Sequence, residues 1–245
     1  MDRALFWKHS VDLTWNIEEL IEGVDMFIGG DLSYKVLFPS CGTGEIAVGI
    51  AKKGYQVDAA DGDPLMIEYA KRLIREEKVD ITPVVCRWSD LENHFTGKYN
   101  VMVVRGNGIP YVNSWSEQNR PIIERQAAEA ELVRSFQAFR NLLADHGAIY
   151  FDTRSVFEEE GREEVASGVI NGLPAKLIYD ISFDDDTRRV HATLQIGNEV
   201  HERDYAGLLL HLWELPSILK KAGLKCQPFE ILGEETYTPV FAVHV

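Results

Sequence analysis

The residues able to do chemistry gather where short apolar runs end. Val36-Leu37-Phe38 is followed by Pro39-Ser40-Cys41-Gly42-Thr43-Gly44-Glu45. A strand that ends in a two-glycine turn and opens a helix lets backbone come close to a ligand without Cβ atoms in the way. The N–H groups at the helix start favour an anionic or polar group. Asp61 follows Gly44 by seventeen residues, at the end of a second apolar run. A carboxylate there accepts hydrogen bonds from both hydroxyls of a ribose. Turn and acid together point to a nucleoside-containing ligand; the plainer alternative is a strand–helix connection with an incidental aspartate. Ala47 stands three residues after Gly44, as the dinucleotide pattern permits, so NAD stays open.

Three more clusters follow later runs. Arg87-Trp88-Ser89-Asp90 comes after the third, Arg105-Gly106-Asn107-Gly108 after the fourth and Asp152-Thr153-Arg154 after the fifth. Trp88 is either a stacking wall or an ordinary core tryptophan. Asp90 either accepts from an amino group or caps a turn. Arg105 and Gly106 fall at the carboxyl edge of the sheet, where open α/β sheets place ligands. Asn107 offers both donors and an acceptor. Arg154 suits bidentate contact with a carboxylate, or pairs with the acids Glu158 to Glu160. Tyr111, Trp115 and Tyr205 suit cation–π contact with an amine or sulfonium, or are core or surface aromatics.

The elements that must position these groups alternate as in a parallel α/β sheet. Strands are expected at Lys35 to Phe38, Gln56 to Ala60, Ile81 to Cys86, Val101 to Val104 and Ala148 to Asp152. Helices are expected at Ile46 to Lys53, Pro64 to Glu77 (capped by Asp63, with Pro64 first) and Glu124 to Leu143. After Asp152 the pattern changes to an antiparallel meander: strands at Lys176 to Phe183, Arg189 to Ile196 and Glu199 to Leu210, with turns at Asn171-Gly172, Asp184 to Asp186 and Gly197-Asn198. A helix at Glu214 to Lys221 and strands near Phe229 to Leu232 and Val240 to Val245 finish the chain. The expectation is one domain over residues 1–245, with a helical segment at 1–30 and a β insertion at about 155–210 acting as a lid.

Composition narrows the partners. The formal net charge of −14 disfavours nucleic acid and anionic membranes, which need basic surfaces. No apolar run approaches the roughly 20 residues a membrane helix needs, and the N-terminus does not read as a signal peptide. Three cysteines, Cys41, Cys86 and Cys226, fit reduced thiols in a cytoplasmic protein. No metal-ligand spacing occurs. A homo-oligomer stays open.

Ser40-Cys41-Gly42-Thr43-Gly44, with Asp61-Gly62-Asp63-Pro64-Leu65-Met66 behind it, resembles the first two motifs of class I S-adenosylmethionine-dependent methyltransferases. The resemblance covers most of residues 34–154. It implies a Rossmann-like seven-stranded sheet whose last strand is antiparallel, Asp61 on the ribose, and Gly62 and Met66 near the adenosine. It places Trp88, Ser89 and Asp90 at the adenine. Gly106-Asn107, Arg154 and the meander narrow it to the glycine and sarcosine N-methyltransferase group. There, the residues matching Asn107 and Arg154 hold an amino acid substrate, and Tyr111 is the nearest titratable side chain. Trp7 and Trp15 would fold over the methionine part of the cofactor. Two departures stand out: Phe38-Pro39 replaces the acid that usually opens the first motif, and Thr14 to Glu22 lacks the arginine that takes the cofactor carboxylate. The expected activity is methyl transfer to a small amine or amino acid. The rivals are attack within the cofactor releasing methylthioadenosine, O-methylation, a non-catalytic binding module, and an NAD-dependent oxidoreductase.

Overall fold

The computed structural model describes residues 1–112, 124–154, 160–228 and 237–244. Two helices come first, α1 (Arg3–Thr14) and α2 (Ile17–Ile28). Asp2 caps α1 by accepting from the Leu5 N–H, and Asn16 caps α2 through the N–H groups of Glu18 and Glu19. Then β1 (Lys35–Phe38), α3 (Glu45–Lys52), β2 (Gln56–Asp61), α4 (Pro64–Glu77), β3 (Val84–Val85) and β4 (Tyr99–Val104) alternate. The helix α5 (Arg125–Leu142) leads into β5 (Leu143–Arg154). Strands β1 to β5 pair in parallel. Two strands from the end of the chain, β10 (Leu224–Pro228) and β11 (Tyr237–His244), extend this sheet in the order β10-β11-β5-β4-β1-β2-β3. β11 runs antiparallel to both β5 and β10. The short helix α6 (Leu215–Lys221) precedes β10.

Strands at the centre of such a sheet are covered on both faces, so they read as continuous apolar runs. Val101 to Val104 is such a run, and all four side chains are buried. One face packs against α5 through Met102, Phe136, Phe139 and Phe151, the other against α2 and α3 through Val36, Val48, Ile50 and Val103. Asp63 caps α4 through the Leu65 N–H, with Pro64 at the first helical position.

The boundaries depart from sequence expectation where local chemistry intervenes. The third strand shrinks to Val84–Val85 because Pro83 has no N–H for the ladder, and β3 lies at the sheet edge. β5 extends in both directions beyond Ala148 to Asp152, supported on either side by β4 and β11. The expected strand near Phe229 to Leu232 lies outside the described residues; β10 precedes it.

Between β5 and α6 stands a separate antiparallel sheet, β6 (Gly161–Ile170), β7 (Leu173–Asp184), β8 (Thr187–Ile196) and β9 (Glu199–Leu208), paired in that order. β6 carries no sequence signal: it is an edge strand exposed along most of its length, so no apolar alternation is imposed on it. The inner face of the sheet buries Leu177, Ile181, Val190, Ala192 and Leu194 against Phe6 of α1.

The turn after β1 combines left-handed backbone with a close approach to α4. Gly44 has φ +100°, and a Cβ there would stand 3.1 Å from the Ala70 Cβ and 3.2 Å from its Cα on α4. Gly44→Ala is expected to cost at least about 2 kcal/mol, from left-handed backbone and the clash together. Urea unfolding monitored by circular dichroism measures this as a lower midpoint at unchanged slope. A loss below about 0.5 kcal/mol, the size of an ordinary surface change, would show that the turn re-forms without its left-handed residue.

Candidate functional site

A cleft of about 1200 Å³, open space at its mouth included, lies at the carboxyl edge of β1, β2 and β4. Turn residues form one wall: Ser40 to Thr43 after β1, Asp61 and Gly62 after β2, Cys86 to Trp88 after β3, and Arg105, Gly106, Gly108 and Tyr111 after β4. The other wall is apolar and comes from the N-terminal helices: Trp7, Val11, Trp15, Ile17 and Leu20. Among the described residues, none from the β6–β9 sheet lines the cleft. That sheet backs α1 from behind.

Two buried carboxylates shape the turns. Asp61 Oδ2 accepts from the Gly42 N–H at 2.9 Å, and its Oδ1 accepts from the Asp63 N–H at 2.9 Å. Burial pushes the Asp61 carboxyl up to about 6, against the pull of those backbone donors. Asp152, fully buried on β5, accepts from the Gly106 and Asn107 N–H groups at 3.0 and 2.7 Å. Gly42 and Gly106 both have positive φ, as does Asn107 at +55°. An Asn tolerates that region because its short side chain hydrogen-bonds locally.

Trp7 lies over both glycine turns. Its Nε1 is 3.6 Å from where a Gly42 Cβ would stand, and its six-membered ring is 3.1 Å from the Gly106 position. Any side chain at Gly106 would push on the indole. α1 is held in place by Arg3, whose Nε donates to the buried Asp63 carboxylate at 2.5 Å, and by the Tyr69 hydroxyl, which donates to Asp2. The hydrogen bond to Asp63 holds the Arg3 guanidinium above its ordinary range.

The other expected site residues divide. Ser40, Cys41, Met66 and Trp88 line the cleft with the glycines and Asp61. The Ser40 hydroxyl is buried with no hydrogen-bond partner among the described residues. Met66 is also core, fully buried on α4. Trp88 plays both of its candidate parts: one side faces the cleft, its Nε1 donates to the Pro39 carbonyl at 3.0 Å, and its ring packs on Phe139 at 5.4 Å. The cleft cysteines are neutral thiols: burial raises Cys41 well above its usual range, and raises Cys86 to about 11.

Ser89 turns to α5, where its hydroxyl donates to Glu131 at 2.7 Å. Asp90 is exposed and sits on a neighbouring depression with Gly62 and Arg87. Neither lines the main cleft, and neither does the buried side chain of Asn107. Arg154 ends β5 opposite Tyr237, and its side chain lies outside the described residues, as does Trp115. Phe38, in the place of the resemblance's acid, is buried in the core between the sheet and α3. Among the described residues no group of His, Cys, Asp or Glu could hold a metal ion, and no helix is long and apolar enough to cross a membrane.

Sequence reasoning missed two features. One is Asp152 as the clamp of the second turn; its place at the end of a buried strand was the available signal. The other is the link from the β6–β9 sheet to the cleft. Arg188 on β8, buried, donates to the Tyr111 hydroxyl at 2.6 Å. Gly207 on β9 lets Tyr111 pack close, since a Cβ there would stand 2.8 Å from the Tyr111 ring. Nothing in local spacing connects residues that far apart in the chain.

Residues 36–124 match the family profile described as a methyltransferase domain. A curated relative, "Putative methyltransferase YqeM" of Bacillus subtilis (strain 168), is 21% identical over 126 residues, 51% of this chain. That match spans 44% of the relative's length. Among solved structures, an S-adenosylmethionine-dependent methyltransferase from Clostridium acetobutylicum ATCC 824 superposes with a TM-score of 0.75 at 13% identity, covering 98% of both chains. CalS10, an amino pentose methyltransferase from Micromonospora echinaspora in its S-adenosylmethionine-bound form, gives 0.75 at 12% identity over 100% of this chain and 98% of its own. Residues 36–124 are therefore similar to a methyltransferase domain, and the chain as a whole shares the fold of these S-adenosylmethionine-dependent methyltransferases.

Proposed function

We propose that the protein transfers a methyl group from S-adenosylmethionine to the nitrogen of a small amine. The observation that carries the reading is Asp61, a buried carboxylate at a strand end that lines the cleft beside a glycine turn it also holds. Such a carboxylate suits the two hydroxyls of a ribose. The residues present fit an adenosyl ligand in two further ways. Gly42 keeps the cleft wall bare of a side chain between the sheet edge and Trp7, and the Ser40 hydroxyl, without a hydrogen-bond partner among the described residues, supplies a hydrogen-bonding group there.

S-adenosylmethionine supplies a methyl carbon already activated by the positive sulfur. The protein's work is then alignment and exclusion of water. Trp7, Val11, Trp15, Ile17 and Leu20 close the cleft with apolar surface. Met66 and Trp88 flank the adenosine. Tyr111, fixed by Arg188 and by the close approach of Gly207, marks the acceptor end. Arg154 orients the acceptor through a carboxylate where the acceptor has one, while Asn107, buried outside the cleft, shapes the turn after β4. The acceptor nitrogen displaces the thioether and sheds its proton to water. Cys41 and Cys86, held neutral, take no nucleophilic part. The amino pentose methyltransferase among the structural neighbours supports an amine acceptor and extends the candidates from amino acids to amino sugars.

Incubation with S-adenosylmethionine and a panel of small amino acids, amines and amino sugars, read by mass spectrometry, tests this directly. S-adenosylhomocysteine is expected only with an acceptor, together with a product heavier by one methylene. Methylthioadenosine formed without acceptor would replace methyl transfer by attack within the cofactor.

Asp61 gives the binding a pH signature. Its carboxyl titrates near 6 in the free protein. Hydroxyl donors stabilise the charged form, so binding lowers that value and releases a proton below neutrality. Affinity for S-adenosylhomocysteine, measured by calorimetry, is expected to be level above about pH 7 and to fall by up to about tenfold per pH unit below 6. Asp61→Asn is expected to weaken binding by roughly 10- to 100-fold at pH 7 and to flatten the profile. A variant that keeps wild-type affinity and pH dependence would remove Asp61 from the site.

A further inference from the structure

We propose that Arg105 is the carboxylate-binding residue of the cleft and that it holds the amino-acid end of the adenosyl ligand; this rests on the function proposed above. The N-terminal helices contribute only apolar side chains to the cleft wall, Ile17 and Leu20 of α2 among them. A carboxylate placed between that apolar wall and the cleft acids Glu45 and Asp61 needs a cation, because an unpaired charge away from water is costly. Of the described residues that line the cleft, Arg87 and Arg105 are the cationic ones. Arg87 is exposed and borders the depression on the Gly62 side. The Arg105 side chain is only 11% exposed.

Its position follows from Trp7. One indole spans the Gly42 and Gly106 turns, so these two turns are neighbours across the cleft. Asp61 grips Gly42, and Arg105 immediately precedes Gly106. A nucleoside whose ribose sits on Asp61 can therefore extend past Gly42 with its 5′ substituent running toward Arg105.

The guanidinium is also set in advance. Nη1 donates to the Tyr150 hydroxyl at 2.9 Å, Nε is 3.7 Å from Asp152 Oδ2, and the group lies 5.8 Å from the Tyr150 ring centre. A planar fork fixed by two neighbours loses little freedom when it meets a carboxylate. Asp152 thus serves both the turn and the cation beside it.

The test compares two ligands that differ only in this carboxylate, S-adenosylmethionine and its decarboxylated form, by calorimetry on the full chain without acceptor. Wild type is expected to favour S-adenosylmethionine by roughly 10- to 150-fold, the range for a charge-assisted hydrogen bond. Arg105→Gln is expected to erase that preference while leaving the affinity for the decarboxylated ligand unchanged, which also shows that the cleft is intact. Arg105→Lys, which keeps the charge and loses the fork, is expected to fall between, and it carries the test if the Gln variant does not fold. A preference that survives substitution, or equal weakening of both ligands, overturns the assignment. So does unchanged binding of S-adenosylmethionine with a raised KM for a carboxylate-bearing acceptor, which would move Arg105 to the acceptor. Wild type that binds neither ligand removes the adenosyl reading itself, and this assignment with it.

Discussion

Two carboxylates at the ends of parallel strands, each reaching sideways to the glycine turn of a neighbouring strand, are the constraint on which the rest of the molecule depends. Asp61 on β2 takes the Gly42 N–H after β1, and Asp152 on β5 takes the Gly106 and Asn107 N–H groups after β4. Turns that leave a sheet in left-handed backbone have N–H groups that no ladder can satisfy. A carboxylate one strand over meets that need and fixes the turn's shape. The burden falls on carboxylates held away from water, and burial raises the Asp61 carboxyl accordingly. The cleft is therefore a by-product of how the sheet finishes its edges, and its chemistry is polar on that wall for the same reason.

The opposite wall is built by a different logic. α1 has little amphipathic pattern because it is gripped on several sides: Arg3 and Asp2 tie it to α4, while Phe6 joins the core of the β6–β9 sheet beneath the Arg203 guanidinium. Trp7, one residue on, points to the cleft. A single helix thus connects Asp63 at the start of α4 to the inserted sheet. Tyr111, clasped between Arg188 and Gly207, makes the second such connection at the cleft wall.

What was legible in the sequence follows from range. Val36 to Phe38, Gln56 to Asp61 and Val101 to Val104 announce buried parallel strands by their own composition, and Asp63-Pro64 announces a helix start by local chemistry. The Gly42, Gly44 and Asp61 set was readable because strand length and crossover length fix its spacing. β6 was not readable, since an exposed edge carries no alternation. Ser89 and Asp90 illustrate a different limit: they follow the right strand, yet a 3-10 turn rotates Ser89 toward α5 and leaves Asp90 in solvent. Spacing identifies the turn that reaches a ligand, while the direction of each side chain depends on packing that sequence does not display.

The two sheets also differ in how far along the chain their partners lie. In the β6–β9 sheet every pairing joins consecutive strands through a short hairpin. At the centre of the parallel sheet, Val36 pairs with Val101, 65 residues away. Loop-closure entropy therefore favours early closure of the hairpins and a slower assembly of the parallel centre. α1 needs both surfaces before it can bury Phe6 and seat Trp7 over the cleft, although it precedes both sheets along the chain. The wall that completes the ligand cleft is thus the last piece that folding can set in place.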